Sequence, residues 1–385
     1  MTNKTSAIII RPKPLRLGAE ELDIESGISF YKQIFSQVIV ISVDQREQFK
    51  WETTYFTNQQ FVENQVLPKV RPTPPYRVYF KYLILKTLIL DRHMRSNLNL
   101  ELCKQIHELS RKEHTNLVIT ETSSLFLLSL FSIGRRYSRS VNFEPLHALS
   151  EIGCNLRGIY HFLSKWSGAI IEANFSNVLS VSPRDLRLYR YISVYRQHKL
   201  WPLRHLITST KFEFNGEFST QRFGVLVSTF NVPHNSRNVE FLCQQVFSTE
   251  PHNTLVIYGS KVPDKFNTKN VQVKGWVDNI DEIYQETDVF LASYQGGTGM
   301  QSKVFEPLSR NKIVICDPKL LRGWSLLPNL HYIPASTPKE FSEAMNSIKT
   351  NPDRGNEIRK TLKLWVEQNF EQDFWLKEIY SAFKL

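Results

Sequence analysis

The sequence has few cysteines and no long hydrophobic run, and each absence excludes a class of protein. Its four cysteines share no paired spacing, which excludes a disulfide-rich secreted fold and the common zinc motifs. No uninterrupted apolar stretch reaches the roughly 18 residues of a membrane-spanning helix. The first residues lack the apolar core and small-residue cleavage site of a signal peptide. We therefore expect a protein of a reducing cytoplasm.

A shortage of acidic residues leaves the chain strongly basic. The 48 Lys and Arg residues exceed the 37 Asp and Glu residues, which gives a net charge of +11 and an isoelectric point near 9.3. Such a charge favours a polyanionic partner: an anionic membrane surface, a nucleic acid or a phosphorylated substrate. Charge alone does not choose among the three.

Length and periodicity indicate two domains. At 385 residues the chain exceeds what one hydrophobic core usually organises. In the first half, apolar runs alternate with segments of helical periodicity, as in a parallel α/β sheet. Strands are predicted at 7–11, 38–43, 116–121, 139–143 and 177–182, and helices near 25–36 and over 76–112. The polar region 44–75, which ends in the breaker RPTPP, is predicted to be a loop.

The same pattern restarts in the second half. Strands are predicted at 223–228, 254–260, 271–277, 288–293 and 312–316, with a helix near 235–248. We infer an α/β fold of two Rossmann-like doubly wound domains that face each other across a cleft. The first domain is predicted at 1–205, the second at 206–370, and a C-terminal helix at 371–385 is predicted to pack back towards the first domain.

The segment SYQGGTGMQSKVFEPLS, residues 293–309, holds three of the 15 glycines within the four positions 296–299. Because this segment follows a predicted strand, its glycines allow the backbone to approach a ligand, and the next helix presents N–H groups that favour anionic oxygen. Lys303 and Glu306 share a helix face, where the lysine can neutralise a phosphate and the glutamate can accept hydrogen bonds from a ribose diol. The alternative is an ordinary glycine-rich turn with a solvated Lys and Glu pair.

Motifs around this segment follow the order found in a known family. The residues concerned are Gly275 and Trp276, then Tyr284 with Asp288, Val289 and Phe290, then Lys303, Val304, Phe305, Glu306 and Pro307. In this order they resemble the donor-binding half of GT-B fold glycosyltransferases, in particular the retaining glycosyltransferase family four (glycosyl transferases group 1). The likeness covers about 223–345, and over 1–205 it rests on architecture.

By this resemblance, Glu306 binds the ribose hydroxyls of a nucleotide sugar. The family's other motif glutamate is replaced by Thr298, which leaves the transferred sugar undetermined. Lys303 takes the main cationic role at the diphosphate, and Arg237 is either a second cation or a solvated residue. Backbone near Trp276 faces the nucleobase, although the Trp276 side chain equally fits core packing. The donor-binding residues are then Gly18, Arg237, Trp276, Val277, Gly296, Gly297, Thr298, Gly299, Met300, Lys303 and Glu306.

The resemblance also assigns residues of the first domain. His147 occupies a catalytic position after a strand, near the transferred sugar, and joins Lys303 and Glu306 as the catalytic candidates. Glu144 and Arg184 are candidates for contacts with the acceptor. Each of the three also has an interpretation without a role in function. His147 is then a histidine whose hydrogen bonds are made within a loop or the core, Glu144 is an ordinary surface glutamate, and Arg184 lies on a solvated helix face.

The implied function is transfer of a sugar from a nucleotide sugar, most readily a UDP- or GDP-sugar, to a glycan or lipid-linked glycan in surface polysaccharide biosynthesis. Retention of anomeric configuration is implied by the family. Catalysis requires stabilisation of the departing diphosphate, which Lys303 and the glycine-turn amides can supply. The sequence has no Asp-x-Asp motif at a strand end to hold a divalent ion. We therefore predict metal independence and no cofactor.

The aromatic and basic helix YRVYFKYLILKTL, residues 76–88, is predicted either to contact an anionic membrane or to be core. In the first case the protein is peripheral at the inner face of the cell membrane. Three rival functions stay open. They are a glycosyltransferase acting on nucleic acid bases, an epimerase of nucleotide sugars, for which no acid and base carboxylates are identifiable, and a catalytically degenerate GT-B binding module.

Overall fold

The computed structural model describes residues 6–13, 19–44, 51–57, 60–62, 76–113, 115, 117–194, 196–207 and 218–383. The chain divides into two compact units. Met1–His205 together with Leu376–Leu385 form the first unit, and Leu206–Trp375 form the second. Each unit contains one sheet.

In the part of the chain that the structure describes, the first sheet has eight strands. They are β1 (Ser6–Pro12), β2 (Gln37–Val43), β3 (Trp51–Thr57), β4 (Gln60–Val62), β5 (Leu117–Thr120), β6 (Arg135–Ser140), β7 (Asn177–Ser180) and β8 (Lys199–Leu200). Their order is β4-β3-β2-β1-β5-β6-β7-β8. In this order, every neighbouring pair from β2-β1 to β7-β8 is parallel. Strand β3 pairs antiparallel with both β2 and β4. The continuous apolar runs of β1 and β2 are buried, as is typical of parallel strands covered on both faces.

The helices of the first unit follow these strands. They are α1 (Ala19–Ile34), α2 (Tyr76–Leu88), α3 (Arg92–Ser96), α4 (Leu100–Lys112), α5 (Phe126–Ser129), α6 (Glu144–Ile152), α7 (Leu156–Phe175) and α8 (Pro183–Ile192). Within this unit the ring of Phe383, near the C-terminus, packs 4.8 Å from that of Tyr137 and 5.6 Å from that of Phe35, measured between ring centroids.

Two features of the first sheet differ from the prediction. The region 44–75, predicted as a loop, contains β3 and β4, because β3 pairs along its whole length with the buried strand β2. The strand predicted at 139–143 instead spans Arg135–Ser140. Phe143 lies at the N-terminus of α6, where its buried ring packs 5.1 Å from that of Tyr189.

The second sheet has six strands, all parallel. They are β9 (Arg222–Thr229), β10 (Thr254–Ser260), β11 (Val271–Gly275), β12 (Val289–Ala292), β13 (Ile313–Cys316) and β14 (Ile333–Pro334), in the order β11-β10-β9-β12-β13-β14. Its helices are α9 (Pro233–Phe241), α10 (Ile280–Glu286), α11 (Ser302–Ser309), α12 (Pro338–Thr350) and α13 (Pro352–Asn369). The last helix, α14 (Gln372–Phe383), belongs to the first unit from Leu376 onwards.

Short helical turns complete the two units. Four are 3-10 helices, at Ser123–Leu125, Arg204–Leu206, Asp264–Phe266 and Pro318–Leu321, and a π-helix spans Leu242–Val246. The predicted α/β class with two doubly wound sheets is confirmed. Within the described residues, no helix combines the length and the hydropathy needed to cross a bilayer.

Candidate functional site

Strands β9 and β12 are parallel neighbours where the second sheet reverses its strand order, so their carboxyl ends point to the same edge of the sheet. Val289 of β12 pairs with Phe223 of β9, and the next residue along each strand pairs likewise. In open α/β sheets, ligands bind outside the carboxyl ends of the strands at such a reversal. Two loops follow this edge: 230–232 leads into α9, and 293–301 leads into α11.

The loop 293–301 turns on three glycines. The φ angles of Gly296, Gly297 and Gly299 are +105°, +87° and +75°, a region that glycine adopts at no steric cost. A β-carbon added at Gly297 would lie 3.2 Å from Nε2 of Gln301 and 3.5 Å from Cγ of His234. This segment, 296–299, is called the glycine turn below. Its backbone leaves little room for a side chain at Gly297.

The residues between and after the glycines fix the turn. Thr298 and Met300 are buried. The side-chain amide of Gln301 donates a hydrogen bond of 2.6 Å to the carbonyl oxygen of Thr298. Since Gln301 immediately precedes α11, this bond ties the glycine turn to the start of that helix.

Lys303 and Glu306 lie on α11 directly behind the glycine turn. Each residue is only 7% exposed, which excludes the alternative of a solvated pair. Burial raises the pKa of Glu306 to about 7, and the nearby Arg310 guanidinium opposes that shift only in part. Buried charged groups are costly unless they have partners, and strongly perturbed pKa values cluster at functional sites. The pair is therefore the strongest candidate for ligand contact in the second unit.

Tyr284 and Arg310 accompany Glu306. Burial and the Glu306 charge raise the pKa of Tyr284 well above its usual range. The Arg310 guanidinium lies 4.5 Å from the centre of the Tyr284 ring, and its Nη1 lies 2.5 Å from Oδ1 of Asp281. Sequence reasoning used Tyr284 only as a motif residue and missed Arg310. The available signal was the position of Arg310, four residues after Glu306 and directly after the last residue of α11.

Helix α9 follows β9, the other strand at the reversal of strand order. The buried Asn238 accepts hydrogen bonds of 2.8 Å from both the backbone N–H and the hydroxyl of Ser293, the first residue after β12. His234, in the first turn of α9, lies beside Gly297, since its Cγ would be 3.5 Å from a β-carbon added there. Sequence reasoning missed both residues, because it looked for cations in this segment. Arg237 is exposed, and its Nε donates to the carbonyl oxygen of Pro233 at 3.0 Å.

Trp276 and Val277 lie at the carboxyl end of an outer strand of the second sheet. They follow β11, which is three strand positions from β12, or about 14 Å at the usual strand spacing. The Trp276 side chain is 47% exposed and donates to Oδ1 of Asp278, so core packing does not account for it. The structure therefore places these two residues at the same sheet edge as the glycine turn but apart from it.

The first-unit candidates lie at the starts of two neighbouring helices. The backbone N–H of Phe143 donates to Oδ2 of Asp185 at 3.1 Å, which brings the start of α6, with Glu144, beside the start of α8, with Arg184. Glu144 pairs with Lys165 at 3.4 Å. His147 lies one turn further along α6 and is half-buried.

Two further predictions concern this site. Gly18 lies outside the described residues. Among the residues that the structure describes, no group of three or more His, Cys, Asp and Glu side chains could hold a metal ion.

Comparison with known proteins gives a family match and a fold match. Residues 237–378 match the family model described as glycosyl transferase-like. No curated protein sequence matches the chain significantly.

Several solved structures share the fold at low identity. Anabaena HepE in complex with UDP is 11% identical with a TM-score of 0.60, over 98% of this chain and 99% of that one. Sucrose-phosphate synthase of Thermosynechococcus elongatus is 11% identical with a TM-score of 0.68, over 99% and 98%. A glycosyltransferase of Rickettsia africae is 12% identical with a TM-score of 0.60, over 99% and 98%.

These matches agree with the motif order read from the sequence. The family match lies mainly in the second unit, where the glycine turn, Lys303 and Glu306 are found. The resemblance is therefore confirmed: this is a GT-B fold chain whose second unit matches the glycosyl transferase-like family.

Proposed function

We propose that the chain is a retaining, metal-independent glycosyltransferase. It moves a sugar from a UDP- or GDP-sugar to a glycan or lipid-linked glycan acceptor, in surface polysaccharide biosynthesis. The observation that carries the proposal is the burial of Lys303 and Glu306 directly behind the glycine turn, at the strand-order reversal of the second sheet. HepE structures that hold UDP and UDP-glucose share the fold, which makes a UDP-sugar the first donor to test.

In this proposal the glycine turn and Lys303 bind the donor diphosphate. Backbone N–H groups of residues 296–300 and the amino end of α11 favour anionic oxygen. Lys303 as a residue is 7% exposed, so the attraction of its ammonium to phosphate is screened by little water. The same groups stabilise the leaving diphosphate as negative charge develops on it in the transition state.

Glu306 accepts hydrogen bonds from the ribose hydroxyls. With a pKa of about 7, its carboxyl is partly protonated at neutral pH, and two donated hydrogen bonds favour the ionised form. Donor binding is therefore coupled to loss of a proton from Glu306. Trp276 and Val277, three strands away, are assigned to the nucleobase, since an extended nucleotide is of comparable length.

Thr298 stands where the resemblance places a glutamate that holds hydroxyls of the transferred sugar. It is buried in the glycine turn and offers one short hydroxyl in place of a carboxylate. We assign the sugar to the backbone amides of the glycine turn, and His147 keeps the catalytic role that the resemblance implies. Departure and attack on the same face of the sugar then retain the anomeric configuration.

The acceptor is assigned to the first unit. Glu144 and Arg184 lie at the starts of α6 and α8, which the hydrogen bond from Phe143 to Asp185 joins, and a carboxylate and a guanidinium suit hydroxyl-rich ligands. The proposal places the reaction in the cytoplasm, in line with four free cysteines.

A panel of nucleotide sugars tests the proposal. One nucleotide class is expected to stabilise the chain against heating, by about 2.7 kcal/mol at a hundredfold excess over its Kd, with and without EDTA. The same donor is then incubated with candidate acceptors, and release of free nucleotide is measured. Absence of any stabilisation would contradict the proposal. Binding without turnover on any acceptor would favour the degenerate binding module.

Replacing Gly297 with alanine tests the role of the glycine turn. The positive φ of Gly297 and the approach of Gln301 predict a cost of about 1–3 kcal/mol in stability and at least a tenfold loss of UDP affinity. Gly153→Ala is the matched control, because Gly153 has φ +89° and open space around it. The control is expected to lose stability alone. Equal UDP affinity in the two variants would argue against phosphate binding at this turn.

A further inference from the structure

Helix α2 exposes an unusual amount of apolar surface. Tyr76 is 79% exposed and Leu88 is 71% exposed, and four further large apolar side chains of the same helix are exposed, namely Tyr79, Phe80, Leu83 and Ile84. Val78 is the helix's one fully buried side chain. Contiguous apolar surface on this scale marks an interaction site in a soluble protein. The alternative that α2 is an ordinary core helix therefore does not fit its packing.

Lysine side chains hold α2 in place from its inner side. Lys81 donates to the carbonyl oxygen of Leu130, and Lys86 donates to the carbonyl oxygens of Arg95 at 3.2 Å and Leu98 at 3.0 Å. Because these contacts anchor the helix along its length, the exposed apolar side chains belong to an ordered surface of the first unit.

Helix α7 extends this surface. Leu156, Ile159, Tyr160 and Leu163 are all exposed on its first two turns. The hydroxyl of Ser164 donates to the carbonyl oxygen of Leu90 at 3.1 Å, so the exposed Leu163 lies near the exposed Leu90 at the end of α2. We call the exposed apolar residues of α2 and α7, with Leu90, the apolar face.

The exposed charges on segment 76–96 and on α7 are basic. Arg77 on α2, Arg92 after it and Arg157 on α7 are exposed. The acidic residues of the same segments, Asp91 in 76–96 and Glu172 in α7, are almost fully buried. This distribution gives the apolar face a positive rim, which complements an anionic surface.

We propose that the apolar face docks the first unit on a bilayer of anionic phospholipid, lying in the headgroup region without crossing it. Insertion removes exposed aromatic and aliphatic side chains from water, while each arginine near the surface adds electrostatic attraction to the anionic headgroups. This inference goes beyond the proposed function, since it concerns the first unit and needs no bound donor. It would bring the chain to acceptors that are anchored in the same bilayer.

Sedimentation with vesicles tests the docking. The full chain is mixed with vesicles of phosphatidylcholine alone or of phosphatidylcholine with about one third phosphatidylglycerol. We expect at least tenfold tighter binding to the anionic vesicles, with binding that weakens as salt is raised. We use two double variants, Phe80→Ser with Tyr160→Ser and Arg77→Glu with Arg157→Glu. Each is expected to bind anionic vesicles at least tenfold more weakly.

Matched controls come from α13 in the second unit. Leu364 is exposed to a similar degree as Phe80, and Lys360 is an exposed cation, so Leu364→Ser and Lys360→Glu are expected to leave vesicle binding unchanged. A thermal shift with UDP on every variant reports folding and donor binding separately. Loss of vesicle binding with an unchanged UDP shift supports the docking.

Three results would overturn the proposal. They are absence of binding to anionic vesicles, equal binding to both vesicle types, and a loss of vesicle binding in the α13 controls as large as in the variants of the apolar face. A dimer in solution that becomes monomeric in the Phe80→Ser, Tyr160→Ser variant would assign the apolar face to a second copy of the chain. Light scattering of the lipid-free protein measures this.

Discussion

Replacing Glu306 with glutamine is expected to weaken UDP binding by about 10- to 100-fold while making the unliganded chain more stable at pH 8. The loss of affinity follows because hydrogen bonds to a charged acceptor contribute about 1.5–3 kcal/mol, more than those to a neutral amide. The gain in stability follows because the wild-type carboxyl is buried and carries a charge at that pH.

The raised pKa of Glu306 makes the stability of the second unit depend on pH. Folding raises the pKa of Glu306 from 4.5 to about 7, so the folded chain binds more protons than the unfolded chain between these values. The free energy of unfolding therefore falls as pH rises through this interval, by about 3 kcal/mol in all. Glu306→Gln removes this cost, and it does not strand Arg310, which keeps Asp281 at 2.5 Å.

Urea unfolding at about pH 5 and pH 8, with calorimetric titration of UDP, measures both effects. The stabilisation by Glu306→Gln is expected to be small at the lower pH and largest at the higher one. Glu172→Gln is the control, because burial also raises the pKa of Glu172 to about 7 but this residue lies in the first unit. It is expected to leave UDP affinity unchanged. An unaltered affinity in Glu306→Gln would contradict the assignment of the ribose.

Replacing Glu121 with alanine is expected to destabilise the first unit by about 3–5 kcal/mol. Glu121 follows β5 and is 1% exposed. Its Oε2 lies 2.5 Å from Nη2 of Arg204 and 3.8 Å from Nε of Arg139, and both arginines are fully buried. The Tyr31 hydroxyl also donates to this carboxylate. The substitution removes the negative charge of Glu121 from two buried guanidinium groups. This lowers the free energy of unfolding far more than the loss of a surface ion pair does.

Hydrogen exchange of the β1 and β5 amides measures this effect within the first unit. Glu52→Ala is the control, because Glu52 pairs with Lys13 at 2.7 Å on an exposed surface and such pairs contribute at most about 1 kcal/mol. We expect protection to fall in Glu121→Ala and to be nearly unchanged in Glu52→Ala. Equal protection in both variants would show that the buried cluster is not important for stability.

The strands and the glycine turn could be predicted because their signals are local. Apolar runs such as residues 7–11 and 38–43 become the buried strands β1 and β2. The concentration of glycines at 296–299 becomes the turn with three positive φ angles. Each of these features depends on residues that are neighbours in the sequence.

The features that were missed depend on tertiary contacts. β3 lies in a polar region and is defined by its pairing with β2. Lys303 and Glu306 are residue types that are mostly exposed, so their burial follows from packing and not from spacing. His234 approaches Gly297 across 63 positions of sequence only because β9 and β12 are neighbours in the sheet.

The most direct test of the account is a crystal structure of the chain with UDP in the presence of EDTA. We expect the diphosphate against the backbone of residues 296–300 and within reach of Lys303, with both ribose hydroxyls donating to the Glu306 carboxylate. UDP bound at any other place, or a Glu306 carboxylate without contact to the ribose, would contradict the central claim.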